Sequence, residues 1–343
     1  MDSHAAVANS TKEKQLTLFI PGLFNGPNAS VPLLSLLTRS DRLAGGAEGD
    51  TERLFALFGI TAEAGQDLPV AAVTRVADMG VIDRDWWIRA DPVYLEAGRN
   101  NLILRAGLGL TPDEATQLAA ELNESLSQDG WLLKAPRAER WYLKPPAAAN
   151  ITTTPLTFAN GRDVHPLLPQ GADRKTWHTR LNELQILLHT SPANATREAR
   201  GLLPANSVWF WGSGRLPQVG SVRWAQLWSD EPLEQGLARL AGVPGRSVPA
   251  SGAELLAQTG GGDQLLVLGL PAAISSQDAA DAWQTAMQAL VETWLLPLLT
   301  AVHAGELKLL TLISDSGPQF QYRSVHRWRI WRRTRSLAES RGG

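Results

Sequence analysis

Three short runs along the chain are apolar without polar alternation: Gln15 to Ile20 (QLTLFI), Gln264 to Leu270 (QLLVLGL) and Leu307 to Ile313 (LKLLTLI). Runs of this length, bounded by Gly and Pro, predict strands buried on both faces. Between the last two lies Ser276 to Val302, an apolar-rich stretch that predicts a long helix. Continuous apolar strands alternating with helices imply a parallel sheet covered on both sides. Val31 to Leu37 and Thr51 to Phe58 predict two more helices, the second with an acidic first turn and a stop at Gly59.

The middle of the chain has a different rhythm. Asp85–Arg89 and Asn101–Leu104 predict strands. Thr111-Pro-Asp-Glu114 predicts a helix start, with Thr as cap, Pro at the first position and Glu three residues after the cap. That helix runs to about Gln128, and the strands Trp131–Lys134 and Arg140–Lys144 follow around a Pro-containing turn. The unit reads as a small α+β domain. Pro145-Pro146-Ala-Ala-Ala suits a linker or a surface loop. Beyond it, Trp177 to Leu188 has helical period, and Ser207–Trp211 is a short strand ending at Gly212-Ser-Gly214.

Composition narrows the classes. Of 343 residues 44 % are hydrophobic and 19 % charged, the balance of a globular protein. A formal net charge of -2 argues against a general nucleic-acid-binding surface. With no cysteine, disulfides, thiolate metal sites and a cysteine nucleophile are excluded. The polar stretch from Met1 to Lys14 lacks a signal-peptide pattern. The apolar segment from Ala282 to Val302 is interrupted by Gln284, Gln288, Glu292 and Pro297, as in a buried helix. A cytoplasmic location without membrane contact is therefore expected. The 13 tryptophans suit core packing, or else a stacking surface.

In an open α/β sheet, sites form at the carboxyl ends of the strands. Pro21 to Gly26, Pro271 to Ser276 and Ser314-Asp315-Ser316-Gly317 occupy those places. Asp315 and His326 are the candidate metal ligands, and two are too few to hold a divalent metal tightly. Their plainer roles are a turn residue and a half-buried strand residue. His165, His178, His189 and His303 have no metal spacing. There is no Gly-x-Ser-x-Gly, and neither Gly212–Gly214 nor Gly260–Gly262 has a nucleotide-loop spacing. The basic stretch His326 to Arg335 alternates Trp328 and Ile330 with Arg327 and Arg329. It reads as an edge strand with a solvated face, or as an anion site.

The order of several segments resembles the archaeal-type cofactor-independent phosphoglycerate mutases of the alkaline phosphatase superfamily, and the RpfE-type proteins of proteobacteria. The segments are Asp85-Trp-Trp-Ile-Arg89-Ala-Asp91, Pro192-Ala-Asn194-Ala-Thr-Arg197, Leu203 to Gly214, and Trp294-Leu-Leu-Pro297 before LKLLTLI. The resemblance implies an alkaline-phosphatase-like α/β core, 1–70 with 185–343, and an inserted α+β domain, 71–184. It implies Arg89 and Arg197 as substrate-binding residues.

The departures concern the metal centre. Pro21 stands where the family has an Asp ligand, and Asn25 replaces a second acid. Asp50 takes the nucleophile position by spacing, with Thr51 beside it. The Asp…His pair is missing from Pro271 to Asp281 unless Asp278 or Asp281 substitutes. Asp315-Ser316 stands for an Asp-His pair, so only Asp315 and His326 match. Without metals the nucleophile is not activated and the phosphoryl oxygens are not clamped. The implied function is a non-catalytic, regulatory or binding member of this fold, with no cofactor, holding a phosphorylated small molecule or a protein partner. Two alternatives stand beside it. One is a working phosphoglycerate mutase or phosphatase with a rebuilt site, using Thr51 and Mn or Zn. The other is a nucleic-acid-linked protein acting through the basic C-terminal stretch.

Overall fold

A computed structural model of the chain describes residues 13–26, 29–270 and 277–342. The chain divides into two compact units: unit 1 is Met1–Ile60 with Val219–Gly343, and unit 2 is Thr61–Gln218. Unit 1 begins with β1 (Lys14–Phe19), α1 (Val31–Arg39), β2 (Asp41–Leu43) and α2 (Asp50–Leu57). Leu33, Leu36 and Leu37 recur at helical spacing on α1 and are buried, and Pro32 sits in its first turn. Gly49 enters α2 at φ 103°, a backbone angle that side-chain-bearing residues rarely adopt.

Unit 2 follows in sequence. It comprises α3 (Val70–Met79), β3 (Trp87–Ala97), β4 (Leu102–Arg105), α4 (Pro112–Leu126), β5 (Leu132–Arg137), β6 (Arg140–Lys144), α5 (Leu156–Ala159), α6 (Arg174–His189), α7 (Pro192–Ala199) and β7 (Ser207–Gly214). The strands form an antiparallel sheet in the order β4-β3-β6-β5, with β7 also pairing with β3. The Thr111 hydroxyl accepts the Glu114 N–H at 3.2 Å and the Glu114 carboxylate accepts the Thr111 N–H at 2.9 Å, closing the expected cap of α4. The 71–184 stretch lies inside unit 2, which also takes in β7 through its pairing with β3. Pro145 to Ala149 is interior to this unit and joins no two units.

Trp177 organises the core of unit 2, with ring centroids 5.7, 5.1 and 5.0 Å from those of Trp86, Trp131 and Phe210. Beside it, Arg89 donates to Asp91 through Nε (3.0 Å) and Nη2 (2.7 Å), and both side chains are buried. Asp91 also accepts the Trp141 N–H at 3.0 Å and the Trp211 indole N–H at 2.7 Å. Arg197, buried on α7, donates to Glu114 (2.6 Å) and to the carbonyls of Leu108 (2.8 Å) and Leu203 (3.1 Å).

The chain returns to unit 1 with β8 (Trp224–Trp228), α8 (Pro232–Leu240), β9 (Gly245–Arg246), α9 (Gly252–Gln258), β10 (Gly262–Val267), α10 (Gln277–Ala289), α11 (Leu296–Ala304), β11 (Leu309–Ile313), β12 (Gln319–Tyr322) and α12 (Leu337–Gly342). The seven-stranded sheet has the order β2-β12-β11-β1-β10-β8-β9. The five strands from β11 to β9 are parallel, β12 runs against β11, and β2 runs against β12. This mixed, mostly parallel sheet with helices is the expected fold class.

A wider π-helical turn, Leu290–Leu295, joins α10 to α11. Pro297 lies just beyond it, where its ring would crowd the carbonyl four residues back in a regular helix. Among the described residues, Ala280–Ala304 is long and apolar enough to cross a membrane by length and composition. Its Trp283, Met287, Leu290, Leu295 and Leu298 are buried in one cluster with Leu18 of β1 and Leu310 and Leu312 of β11. Trp283 donates its indole N–H to the Gly22 carbonyl at 3.1 Å, and a Cβ on Gly26 would meet its ring at 2.2 Å, so that position requires glycine.

Because Arg89 and Asp91 are buried and paired directly, Asp91→Asn leaves a buried cation short of its counter-charge. Denaturant unfolding of that variant should show a loss of about 3–5 kcal/mol, and the double replacement Arg89→Met with Asp91→Asn, which keeps an acceptor for the Trp141 and Trp211 N–H groups, should lose less. Equal losses in the single and double variants would contradict the pairing energetics.

Candidate functional site

The five parallel strands of unit 1 end on the same edge of its sheet, and their following loops surround a cleft of ≈ 970 Å³. Pro21, Gly22 and Asn25 follow β1, Leu268 to Leu270 follow β10, Ser229 and Asp230 follow β8, and Asp315 follows β11. Asp50 at the start of α2 and Glu231 and Glu234 at the start of α8 add three more carboxyl groups. Ala289, Leu290 and Trp294 supply an apolar wall. Asp315 ties the loops together. Its Oδ1 accepts the Gly22 N–H at 2.9 Å and the Ser314 hydroxyl at 2.6 Å, and its carbonyl accepts the Gly49 N–H at 2.8 Å. The Asp-Ser-Gly turn reading of Asp315 therefore coexists with a place in the cleft.

His326 is elsewhere. β12 runs back along β11, with Leu310 opposite Tyr322, so the chain reaches His326 at the amino-terminal end of β11. Asp315 follows that strand's other end. His326 is not a half-buried strand residue but a buried member of a 3₁₀ turn, Ser324–Trp328, with Nε2 3.3 Å from Asp41 Oδ2. Burial, then the charge of Arg329, hold its imidazole below the usual histidine range. Strand direction thus sets Asp315 and His326, the two candidate metal ligands, at opposite ends of β11.

Thr51 is the second residue of α2. Its hydroxyl is 3.5 Å from Asp50 Oδ1, which accepts the Thr51 N–H at 2.8 Å. Asp50, rather than Thr51, lines the cleft. Arg89 and Arg197 belong to unit 2, where Asp91 accepts from Nε and Nη2 of Arg89, and Glu114 and two backbone carbonyls accept from Arg197.

Asp281, the other possible substitute ligand, begins a turn of α10 whose Thr285 hydroxyl bonds its carbonyl. Asp278 and the segment from Pro271 to Ser276 lie outside the described side chains. Among the described residues, no three His, Asp or Glu side chains gather closely enough to hold a metal ion. The donor set among the described residues does not fit a two-metal centre.

Glu234 was missed in the sequence. It is 8 % exposed, and its Oε2 has no hydrogen-bond partner. Burial, with the charges of Glu231 and Asp50, pushes its carboxyl up to about 7. The signal was present: Ser229-Asp-Glu-Pro directly follows β8, but Trp224 and Trp228 read as a packing pair, not as the ends of a strand.

The basic C-terminal stretch is not an edge strand. After the 3₁₀ turn it runs irregularly along unit 1, where Arg329 donates to Asp41 (2.6 Å) and Arg332 to the Ser40 carbonyl (2.8 Å). Trp328, Ile330 and Trp331 are exposed on it, with Arg327 stacked 4.8 Å from the Trp328 ring. Nine other tryptophans are buried, so packing accounts for most of the tryptophan content.

No family model matches the chain. It is 31 % identical over 157 residues to the 2,3-bisphosphoglycerate-independent phosphoglycerate mutase of Methanosarcina barkeri, a match covering 44 % of this chain and 39 % of that protein. A probable enzyme of the same name from Geobacter sulfurreducens is 31 % identical over 71 residues, 21 % of this chain and 18 % of that protein. The chain thus spans less than half the length of these curated relatives. Among solved structures, the PH0037 protein from Pyrococcus horikoshii superposes with a TM-score of 0.55 at 13 % identity, over 91 % of this chain and 87 % of that one. The cofactor-independent phosphoglycerate mutase of Thermoplasma acidophilum gives 0.44 at 16 % identity, over 90 % of both chains. The chain is weakly similar in sequence to cofactor-independent phosphoglycerate mutases, and it shares its α/β fold with the PH0037 protein.

Proposed function

We propose that this chain is a phosphoglycerate-mutase-like protein that binds a ligand in the unit 1 cleft without mutase chemistry, in a regulatory role of the kind the RpfE-type resemblance implies. One observation carries the reading. Of Thr51, Arg89, Arg197, Asp315 and His326, only Asp315 lines the cleft. Phosphoryl transfer needs an activated nucleophile and positive charge on the phosphoryl oxygens. The hydroxyl of Thr51 has a carboxylate at 3.5 Å, too long for a working hydrogen bond to a base. Among the described residues, no Lys, Arg or His lines the cleft. A phosphate there would face Asp50, Asp230 and Glu231 without compensation.

Purified protein assayed with 3-phosphoglycerate in Mn²⁺ or Zn²⁺ should give no turnover above the blank, and Thr51→Ala should change nothing. Clear turnover abolished by Thr51→Ala would instead establish the alternative of a rebuilt mutase or phosphatase centre.

The exposed indoles of Trp328 and Trp331 beside Arg327, Arg333 and Arg335 favour a second reading, a single-stranded nucleic acid stacked on the C-terminal stretch. A titration with oligo(dT) should then weaken steeply between 50 and 200 mM salt, as released counterions require (salt levels from). Removing either indole should cost about 1–3 kcal/mol. Affinity indifferent to salt and to the loss of both indoles would remove this reading.

A further inference from the structure

We propose that the unit 1 cleft takes a small organic cation, an amine or guanidinium on an apolar body, whose charged head pairs with the Glu234 carboxylate. The inference rests on the reading of this cleft as a binding site and names the class of its ligand.

Glu234 is the third residue of α8, a helix of nine residues, and more than nine-tenths of it is buried. Glu234 lines the cleft, and its Oε2 is buried without a hydrogen-bond partner. A buried acceptor without a partner is costly, and a ligand that donates to it recovers that cost. Three of the neighbouring acids have partners in the protein. Asp315 Oδ1 accepts two donors, Asp230 Oδ1 accepts the Val248 N–H at 3.2 Å, and Asp50 Oδ1 accepts the Thr51 N–H.

Charge then selects the ligand's sign. The acids facing Glu234 are Glu231 on its own helix, Asp230 before it, Asp50 from α2 and Asp315 from beyond β11, and no basic side chain among the described residues lines the cleft. Arg53, also on α2, turns its guanidinium to the carbonyls of Ser314 (3.1 Å) and Gly317 (2.6 Å). Anions are repelled and cations are drawn in. The volume, ≈ 970 Å³, suits a small molecule, not a bare ion, and the acids do not converge as a metal cage among the described residues. Leu268, Leu270, Leu290 and Trp294 offer the apolar body a wall.

Protonation sets when the site is open. Below about 7 the Glu234 carboxyl carries a proton and is neutral. A cation binds its ionised form, so binding releases a proton and strengthens as pH rises through 7.

The test uses the full chain with phenethylammonium, butylguanidinium and the neutral 2-phenylethanol, read by calorimetry and by thermal shift at pH 6 and pH 8. Both cations should bind about tenfold more tightly at pH 8 than at pH 6, following ionisation of one group near 7, and the alcohol should bind weakly at both. Glu234→Gln should lose at least tenfold in cation affinity at pH 8 together with the pH dependence.

That variant's folding is checked separately. The folded-state Glu234 carboxyl is raised above its ordinary value of 4.5, so the folded protein holds the extra proton between 4.5 and about 7 and loses stability as pH rises through that window. Glu234→Gln should therefore melt higher than the parent at pH 8 and lose that fall. Equal binding of cation and alcohol, pH-independent cation binding, unaltered binding by a folded Glu234→Gln, or competition by Mn²⁺ alone would each overturn the proposal. Turnover of 3-phosphoglycerate would defeat the non-catalytic reading while leaving the cation result legible.

Discussion

Parallel hydrogen bonding between β1 and its neighbours β10 and β11 fixes more of unit 1 than any other interaction. Strands paired in parallel must all end on one edge, so the loops that follow them meet there whatever their sequence. Asp315 converts that convergence into a rigid rim. By holding the Gly22 N–H with its side chain and the Gly49 N–H with its carbonyl, it fastens the loop after β1 and the start of α2 to the end of β11. The same constraint excludes His326. One antiparallel strand, β12, carries the chain back to the opposite edge, and no side chain reaches across the length of a strand.

What fills the rim decides its chemistry. A cleft for phosphoryl transfer collects positive charge, from metal ions or basic side chains, around the transferring group. Here the lining carries Asp50, Asp230, Glu231, Glu234 and Asp315, with apolar side chains from the helical rod of α10 and α11. The acids resemble a metal site in composition alone. They are dispersed around a wide opening, and two of them are spent on backbone N–H groups of neighbouring loops.

In unit 2 the two arginines singled out as binding residues have partners within the protein. Arg89 lies between Tyr142 and Trp211, with its charge answered by Asp91, and Arg197 joins α7 to Glu114 and to two carbonyls. A guanidinium's planar array of donors satisfies several acceptors at once, which suits it equally to phosphate and to a crowded interior. Residue type and spacing are the same in both roles, so only the partners distinguish them.

The sequence by itself determined the elements whose patterns are local. The buried runs became β1, β10 and β11, the Thr111 box capped α4, and the apolar stretch ending at Val302 became the rod against the sheet. Continuous apolarity over five or six residues has few physical outcomes, and a cap is formed by neighbours in the chain. The strand Trp224–Trp228 was hidden because its indoles read equally well as packing residues. With it hidden, the acids at 230, 231 and 234 had no strand end to mark them. Only the tertiary structure decided that Asp315 and His326 stand at opposite edges, that Arg89 and Arg197 are enclosed, and that Glu234 lines a cleft with one buried oxygen lacking a donor. Those are facts of strand direction and burial, set by contacts between residues far apart in the chain. Local pattern carries no record of them.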